Sequence, residues 1–189
     1  MRKLNNMNFI TKLALKRQLK KWGYSAERGF VPFSKVRRAI VLFDVQDAEF
    51  DECQRVAGEY FKEKGIEMKP FFLDMGKHGK DDIIVTGVKT TILRRNLSFC
   101  GTLPAGMIEE VRSSEADLCI CLAHSDCTAV RSFLGIVRAP FCIGVMDYTG
   151  APYSFVLSPA ENGKDSVQVN FHDSLRCLRS ICDYIEKIV

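Results

Sequence analysis

Short, continuous apolar runs alternate with amphipathic segments over most of the chain. The clearest example is 118–145, where two apolar runs, 118–122 and 141–145, enclose apolar residues at helical spacing: Val130, Phe133, Leu134 and Val137. Apolar runs of this length are typical of parallel strands that are covered on both faces. The segment therefore predicts a strand, a helix and a strand, joined by a right-handed crossover.

The same criteria predict the remaining elements. A strand over 39–44 is followed by helix-period residues from Phe50 to Phe61, with Gly65 where a helix C-terminus belongs. Pro70 precedes a second strand, 71–73, and its missing N–H places that strand at an edge of the sheet. Further predicted segments are short strands over 83–85 and 91–93 (a hairpin across Gly87), a short helix after Pro104, strands over 153–157 and 167–171, and a last helix over 173–188.

Alternating strands and amphipathic helices predict an α/β fold, a three-layer open sheet that is mostly parallel and has helices on both faces. With the second strand at an edge, the strand order begins 2-1-3, which fits a Rossmann-like or flavodoxin-like layout. The 189 residues fit one domain. We place this domain at 36–189 and a basic N-terminal helix with its linker at 1–35. We expect the domain to fold without residues 1–30.

The charge is divided unevenly along the chain. Residues 1–38 hold 11 basic residues and one acid, a net charge of +10, whereas 39–189 hold 16 basic and 22 acidic residues, a net charge of −6. A helix is predicted over 3–22, with an apolar face of Leu4, Met7, Ala14, Leu15, Leu19 and Trp22, and with Lys12, Lys16, Arg17 and Lys20 on the other side. Phe9 and Leu13 interrupt this pattern.

Three partners fit such a helix. We favour docking of the apolar face on the domain itself or on a second copy, which would make a homo-oligomer. An anionic membrane surface is the next alternative, because cationic amphipathic helices bind such surfaces. Nucleic acid is disfavoured, since Trp22 is the one side chain available for stacking on bases.

The cysteines and the N-terminus indicate a cytoplasmic protein. Contact of its N-terminal helix with a membrane would make it a peripheral membrane protein. Lys12 interrupts the apolar stretch 9–15, and basic residues follow it, so the segment does not resemble an export signal. The chain has eight cysteines. Several lie in strand-like runs, where a free thiol behaves as a small apolar residue.

Polar side chains follow several predicted strands. Asp44, Asp74 and Asp147 each end a strand, and the strand 118–122 is followed by His124, Asp126 and Cys127. Ligands of open α/β sheets bind beyond the carboxyl ends of the strands, so we assign these six residues as candidate ligand-binding residues. The alternative, which we favour for the carboxylates, is that aspartates shape turns and cap helices.

Three further patterns limit the chemistry. Residues 43–47 contain no glycine, so no dinucleotide or P-loop phosphate motif follows the first strand, and we expect no cofactor. Cys119, Cys121, His124 and Cys127 lie within nine residues, but the first two face one dry side of a strand, so we expect no metal. A nucleophilic Cys127–His124 pair has two cues in its favour, the position of Cys127 in the first turn of the predicted helix and the nearness of His124 in sequence, but a half-buried thiol is the preferred interpretation.

The stretch 116–122, continuing through 131–134 to 141–147, resembles an uncharacterised family of short bacterial Rossmann-like proteins. It is more distantly similar to the N-terminal half of ADP-heptose-type glycosyltransferases. The first resemblance implies a basic helix before the first strand. The second implies a nucleotide or sugar-like ligand, although those enzymes bind the nucleotide sugar mainly through a second domain, for which this chain has no room.

Two function classes remain open at the level of the sequence. The first is a non-enzymatic or regulatory binding module with its ligand at the carboxyl ends of the strands. The alternative is a small, glycosyltransferase-like enzyme acting on a nucleotide or sugar-like ligand. Convergence of Asp44, His124 and Asp147 in a pocket would favour the enzyme. The absence of a phosphate loop favours the binding module.

Overall fold

A computed structural model describes residues 8–77, 87, 89–148, 150–157 and 174–187. Its strands are β1 (Arg38–Asp44), β2 (Glu67–Asp74), β3 (Thr91–Leu93), β4 (Leu118–Cys121), β5 (Phe141–Gly144) and β6 (Phe155–Val156). Its α-helices are α1 (Phe9–Trp22), α2 (Phe50–Glu63), α3 (Ala105–Ser113), α4 (Thr128–Ile136) and α5 (Ser174–Lys187). Short 3-10 turns cover Phe33–Lys35 and Arg94–Asn96.

The six strands form one sheet in the order β3-β2-β1-β4-β5-β6, and all described pairs are parallel. Alternate residues of β1 point to opposite faces: Ile40 and Leu42 pack with α3 and α4, while Val41 and Phe43 pack with α2 and α5. The predicted α/β class, with a parallel sheet between two helical layers, is confirmed.

The predicted edge position of the second strand is wrong, because β3 lies outside β2. The N–H of Phe72 donates to the carbonyl of Thr90, so the nitrogen of Pro70, two residues earlier, faces the same side. Pairing with β3 begins only at Phe72. Pro70 pairs with Val41 of β1 on one side, but on its β3 side β2 has no described neighbour at this position, so the missing donor breaks no ladder bond.

Other predictions differ from the structure in their bounds or lie outside the described residues. β3 pairs in parallel with β2, and its predicted hairpin partner, 83–85, lies outside the described part of the chain. The same holds for the predicted strand 167–171. β6 covers only Phe155–Val156 of the predicted strand 153–157. The short helix after Pro104 and its inward-facing residues Met107, Ile108 and Val111 are present as α3.

Helix α1 packs on the domain. Leu19 and Trp22 contact the α3–α4 side of the core. The Nε2 of Gln18 donates to the carbonyl of Leu103 at 2.8 Å, and the backbone N–H of Tyr24 donates to the carbonyl of Gly135 at 2.8 Å. The predicted apolar face is thus partly covered by the chain itself. Of the described helices, none is long and apolar enough to cross a membrane.

Candidate functional site

The strand order reverses between β1 and β4. From β1 the chain proceeds through β2 to β3 on one side, and from β4 through β5 to β6 on the other. Helix α2 leaves β1 toward one face of the sheet, and α4 leaves β4 toward the opposite face. The β1–α2 and β4–α4 loops therefore diverge at the carboxyl ends of these strands. This is where open α/β sheets bind ligands.

The first loop is held by its own aspartates. The Oδ1 of Asp44 accepts a hydrogen bond from the N–H of Gln46 at 3.0 Å, and the Oδ1 of Asp47 accepts one from the N–H of Glu49 at 2.9 Å. Each is an aspartate oxygen bound to the amide two residues later, a common way of shaping a turn. Asp44 thus reaches the predicted edge, but one of its oxygens is engaged in the turn.

Asp74 shapes the turn at the end of β2 in the same way. It is buried, and its Oδ1 accepts from the N–H of Gly76 at 3.0 Å. It lies one strand further from β4 than Asp44 does. Asp44 and Asp74 thus each shape the turn after their strand through one oxygen, and their assignment as ligand-binding residues stays a prediction.

A junction between three elements lies at this edge. The hydroxyl of Ser174, the first residue of α5, donates to the Oδ2 of Asp47 at 2.6 Å. The same Oγ lies 3.4 Å from the carbonyl oxygen of Leu122, directly after β4. The contact fixes the start of α5 against both central strands. The sequence interpretation missed this contact, since nothing in the local pattern joins residues 127 positions apart.

Asp126, in the loop before α4, is paired with a cation on that helix. Its two oxygens accept from the Nε and the terminal nitrogen of Arg131, at 2.5 and 2.7 Å. The guanidinium also lies over the ring of Tyr148, 4.2 Å from the ring centroid. The hydrogen bond to Asp126 raises the pKa of Arg131, and burial raises the pKa of Tyr148. This cluster connects the start of α4 to the loop after β5.

The other three candidates differ in setting. Cys127 is the N-terminal cap residue of α4, and its side chain makes no capping hydrogen bond. His124 is half-buried on the same loop, and Asp147 is exposed in the loop after β5. The structure thus places His124 and Cys127 in the loop after β4 and Asp44 at the end of β1. Asp147 follows the next strand along the sheet.

The strand cysteines are part of the core. Cys119 and Cys121 are fully buried on the face under α3 and α4, as predicted, and Cys119 is the register partner of Cys142. A hydrogen bond to Cys142, together with burial, raises the pKa of Cys119, and burial raises the pKa of Cys121 to about 11. All eight cysteines are free thiols. Among the described residues, no three His, Cys, Asp or Glu side chains are grouped as metal ligands.

Two clefts lie away from the predicted site. One, of about 610 Å³, separates β3 from α3 and is lined by Ile92, Leu93, Met107 and Glu110 among others. The other, of about 490 Å³, lies at the amino ends of β1, β4 and β5, beside residues 23–26 and the arginines Arg38, Arg112 and Arg138. Neither contains a residue of the candidate set.

Comparison of the chain with protein-family models, curated proteins and solved structures found no match.

Proposed function

We propose that this chain is a Rossmann-like binding module, non-enzymatic or regulatory, that holds a small ligand at the carboxyl ends of β1 and β4. The observation that carries the proposal is the reversal of the strand order between β1 and β4, with α2 and α4 on opposite faces. This arrangement leaves a crevice between two loops and directs both helix N-termini toward it.

The chemistry of the two loops supports a ligand with hydroxyl or amino groups. On the β1 side, Asp44 offers a carboxylate beside the crevice. On the β4 side, the side chain of the cap residue Cys127 makes no capping hydrogen bond, so the first N–H groups of α4 are candidate donors for a ligand. The loop after β1 contains no glycine, which argues against a pyrophosphate held on its backbone. The resemblance to glycosyltransferase halves adds support for a nucleotide or sugar-like ligand.

The partners of the acidic residues favour binding over catalysis. Asp44 and Asp74 accept hydrogen bonds from backbone amides, and Asp126 is held by both its oxygens in an ion pair with Arg131. A carboxylate that transfers protons must be able to reach a substrate atom. The alternative, a small enzyme acting on a nucleotide or sugar-like ligand, therefore rests on His124, Cys127 and Asp147.

A thermal-shift screen of nucleotides, nucleotide sugars and divalent metals tests the proposal on the full chain. A ligand at about a hundred times its Kd stabilises the folded state by roughly 2.7 kcal/mol, which for a chain of this size raises the Tm by about 5–10 °C. The site variant is Asp44→Asn with His124→Gln, which changes one residue on each side of the proposed site and leaves an oxygen on residue 44 for the turn hydrogen bond. The matched control is Asp183→Asn, on the exposed side of α5.

A ligand that raises the Tm of the wild type and the control, but not of the site variant, supports the proposed site. An equal shift in the site variant would place the ligand elsewhere. Conversion of the bound compound, followed by mass spectrometry, would establish the enzyme instead. If no member of the three ligand classes shifts the Tm, the proposal is rejected for those classes.

A further inference from the structure

Helix α1 presents two chemically different faces. The face toward the domain contains the half-buried side chains of Ala14, Leu15, Gln18, Leu19 and Trp22. At 100° per residue, Phe9 and Leu13 lie on the opposite side, together with Lys16 and Lys20. The residues that interrupt the predicted apolar pattern therefore form an outward face, and the covered face is not available to a membrane.

The outward face combines large apolar side chains with cations. Phe9, Ile10 and Leu13 are 77%, 61% and 37% exposed, and they are three of the five exposed large hydrophobic residues in the described chain. The basic residues Lys12, Lys16, Arg17 and Lys20 are exposed around and after them. The helix contains no acidic residue. Water is a poor solvent for such a cluster of apolar groups, which suggests a partner with an apolar layer.

A second element carries another exposed aromatic ring near this helix. Phe99 is fully exposed at the tip of the turn 98–102. The turn is braced by hydrogen bonds from the N–H of Gly101 to the carbonyl of Ser98 (2.8 Å) and from the N–H of Ser98 to the carbonyl of Thr102 (3.0 Å). Leu103 follows the turn directly, and its carbonyl accepts the bond from Gln18 of α1. This bond joins the two elements.

We infer that the outward face of α1 and the Phe99 turn dock this protein on an anionic lipid surface. We call this set of residues (Phe9, Ile10, Lys12, Leu13, Lys16, Arg17, Lys20 and Phe99) the docking face. Peripheral helices bind membranes by burying apolar side chains at the headgroup boundary while lysines and arginines contact anionic headgroups. Both kinds of group are present on the outward face of α1, and Phe99 adds an exposed ring on the turn that is bonded to this helix.

The composition of the docking face favours lipid over other anions. Nucleic acid binds through phosphate contacts and stacking on aromatic rings, and exposed Ile10 and Leu13 serve neither. A second copy of the chain would have to cover a strongly basic helix with another basic helix if the contact were symmetric. A bilayer satisfies the apolar groups and the cations together.

Vesicle sedimentation with the full chain tests this inference. We expect binding to phosphatidylcholine vesicles containing about 30% phosphatidylserine, and binding at least roughly tenfold weaker to pure phosphatidylcholine. Raising the salt concentration from about 0.1 M to about 1 M should weaken the binding to anionic vesicles, because it shortens the Debye length to about 3 Å.

Two variants separate the contributions. Lys12→Gln/Lys16→Gln/Lys20→Gln should weaken binding on the order of 100-fold, since each basic residue near the surface contributes roughly fivefold. Phe9→Ser/Leu13→Ser/Phe99→Ser should also weaken binding to anionic vesicles, by at least roughly tenfold. The matched charge control is Lys35→Gln/Lys62→Gln/Lys187→Gln, three exposed lysines away from the docking face. It should bind as the wild type does. Circular dichroism checks that each variant is folded.

Several outcomes would overturn the inference. They are equal binding to neutral and anionic vesicles, an equal loss in the charge control, and no effect of the apolar variant. Salt-sensitive binding to a single-stranded oligonucleotide that exceeds vesicle binding would assign the face to nucleic acid. A dimer that is lost in the apolar variant and does not bind vesicles would assign it to a second copy. None of these outcomes depends on the small ligand proposed above, so the two proposals fail independently.

Discussion

At the residue scale, Gly144 shows how a missing side chain shapes the core. A Cβ at this position would lie 2.5 Å from the Cε1 and Cε2 atoms of the Tyr153 ring, closer than such atoms approach in folded proteins. The ring therefore packs directly on the backbone of β5. This contact fixes the segment before β6 against the sheet.

We predict that Gly144→Ala destabilises the protein by about 1–3 kcal/mol, because the ring must leave its position. Gly58 in α2 is the matched control, since a Cβ there meets nothing within 4 Å. Gly58→Ala should stabilise the protein by about 0.5–1 kcal/mol through helix propensity. Urea denaturation of both variants measures the difference. If Gly144→Ala left the free energy of unfolding unchanged, the Tyr153 ring would move without an energetic cost.

The thiols give a second residue-scale prediction. Cys100 and Cys127 are half-buried, whereas the other six are buried, and burial raises the pKa of Cys53 and Cys182 to about 12. The reactive form is the thiolate, so Cys53 and Cys182 are protected by protonation as well as by burial, and the other buried thiols are protected by their lack of access to the reagent. At about pH 8, a thiol reagent should label two cysteines of the folded chain quickly and all eight after denaturation. Labelling of fewer than eight cysteines in denaturant without reductant would contradict the assignment of free thiols.

The candidate site was predictable only in its location. The sequence places Asp44, His124 and Asp126 at the carboxyl ends of strands because strands and loops follow from the apolar pattern. It does not specify which way each carboxylate turns. That depends on which donors lie nearest: the amide of Gln46 for Asp44, and the guanidinium of Arg131 for Asp126.

At the scale of elements, Arg28 joins the linker after α1 to the end of α4. Its guanidinium donates to the carbonyls of Leu134 and Val137, at 2.6 and 3.0 Å, and to that of Pro152 at 2.7 Å. The last carbonyls of a helix have no partner within the helix. Arg28 therefore acts as the C-terminal cap of α4 and also holds the segment before β6.

We predict that Arg28→Ala lowers the free energy of unfolding by about 2–3 kcal/mol, because three carbonyls lose a charged donor. Arg28→Lys should recover less than half of the loss, since an ammonium lacks the planar fork of the guanidinium. Arg17→Ala, on the exposed side of α1, should change stability by less than about 0.5 kcal/mol. Urea denaturation compares the three, and an equal effect of Arg28→Ala and Arg17→Ala would refute the cap.

The order of the elements was less predictable than their existence. Apolar runs identified β1, β4 and β5, and helical spacing identified α2, α4 and α5. Pro70 suggested an edge strand because a proline cannot donate, yet β3 pairs only with the second half of β2. The edge rule was right for the first half of β2, which contains Pro70, and wrong for the strand as a whole. A three-residue strand such as β3 gives too short a pattern to reveal this.

At the scale of the whole molecule, the structure changes the expected contribution of the N-terminal segment. The division of the chain at residue 35 stays a prediction. The sheet and helices α2–α5 supply both core clusters, while Leu19 and Trp22 pack at the margin of one of them. The segment nevertheless contributes Arg28, the bond from Gln18 and the contact of Leu19 with Gly135. We therefore expect residues 1–30 to stabilise the domain, rather than to have no effect on its stability.

Two truncations test this expectation. Removal of 1–22 deletes α1 but retains Arg28, whereas removal of 1–30 deletes both. Both chains should still fold, with the longer truncation lowering the Tm by at least roughly 10 °C, because a loss of 1 kcal/mol costs about 2–4 °C in a chain of this size. The shorter truncation should lie between it and the wild type, since the cap on α4 remains. Calorimetry and circular dichroism follow both transitions. Loss of folding in both truncations would make α1 part of the core, and an unchanged Tm in both would show that its docking adds no stability.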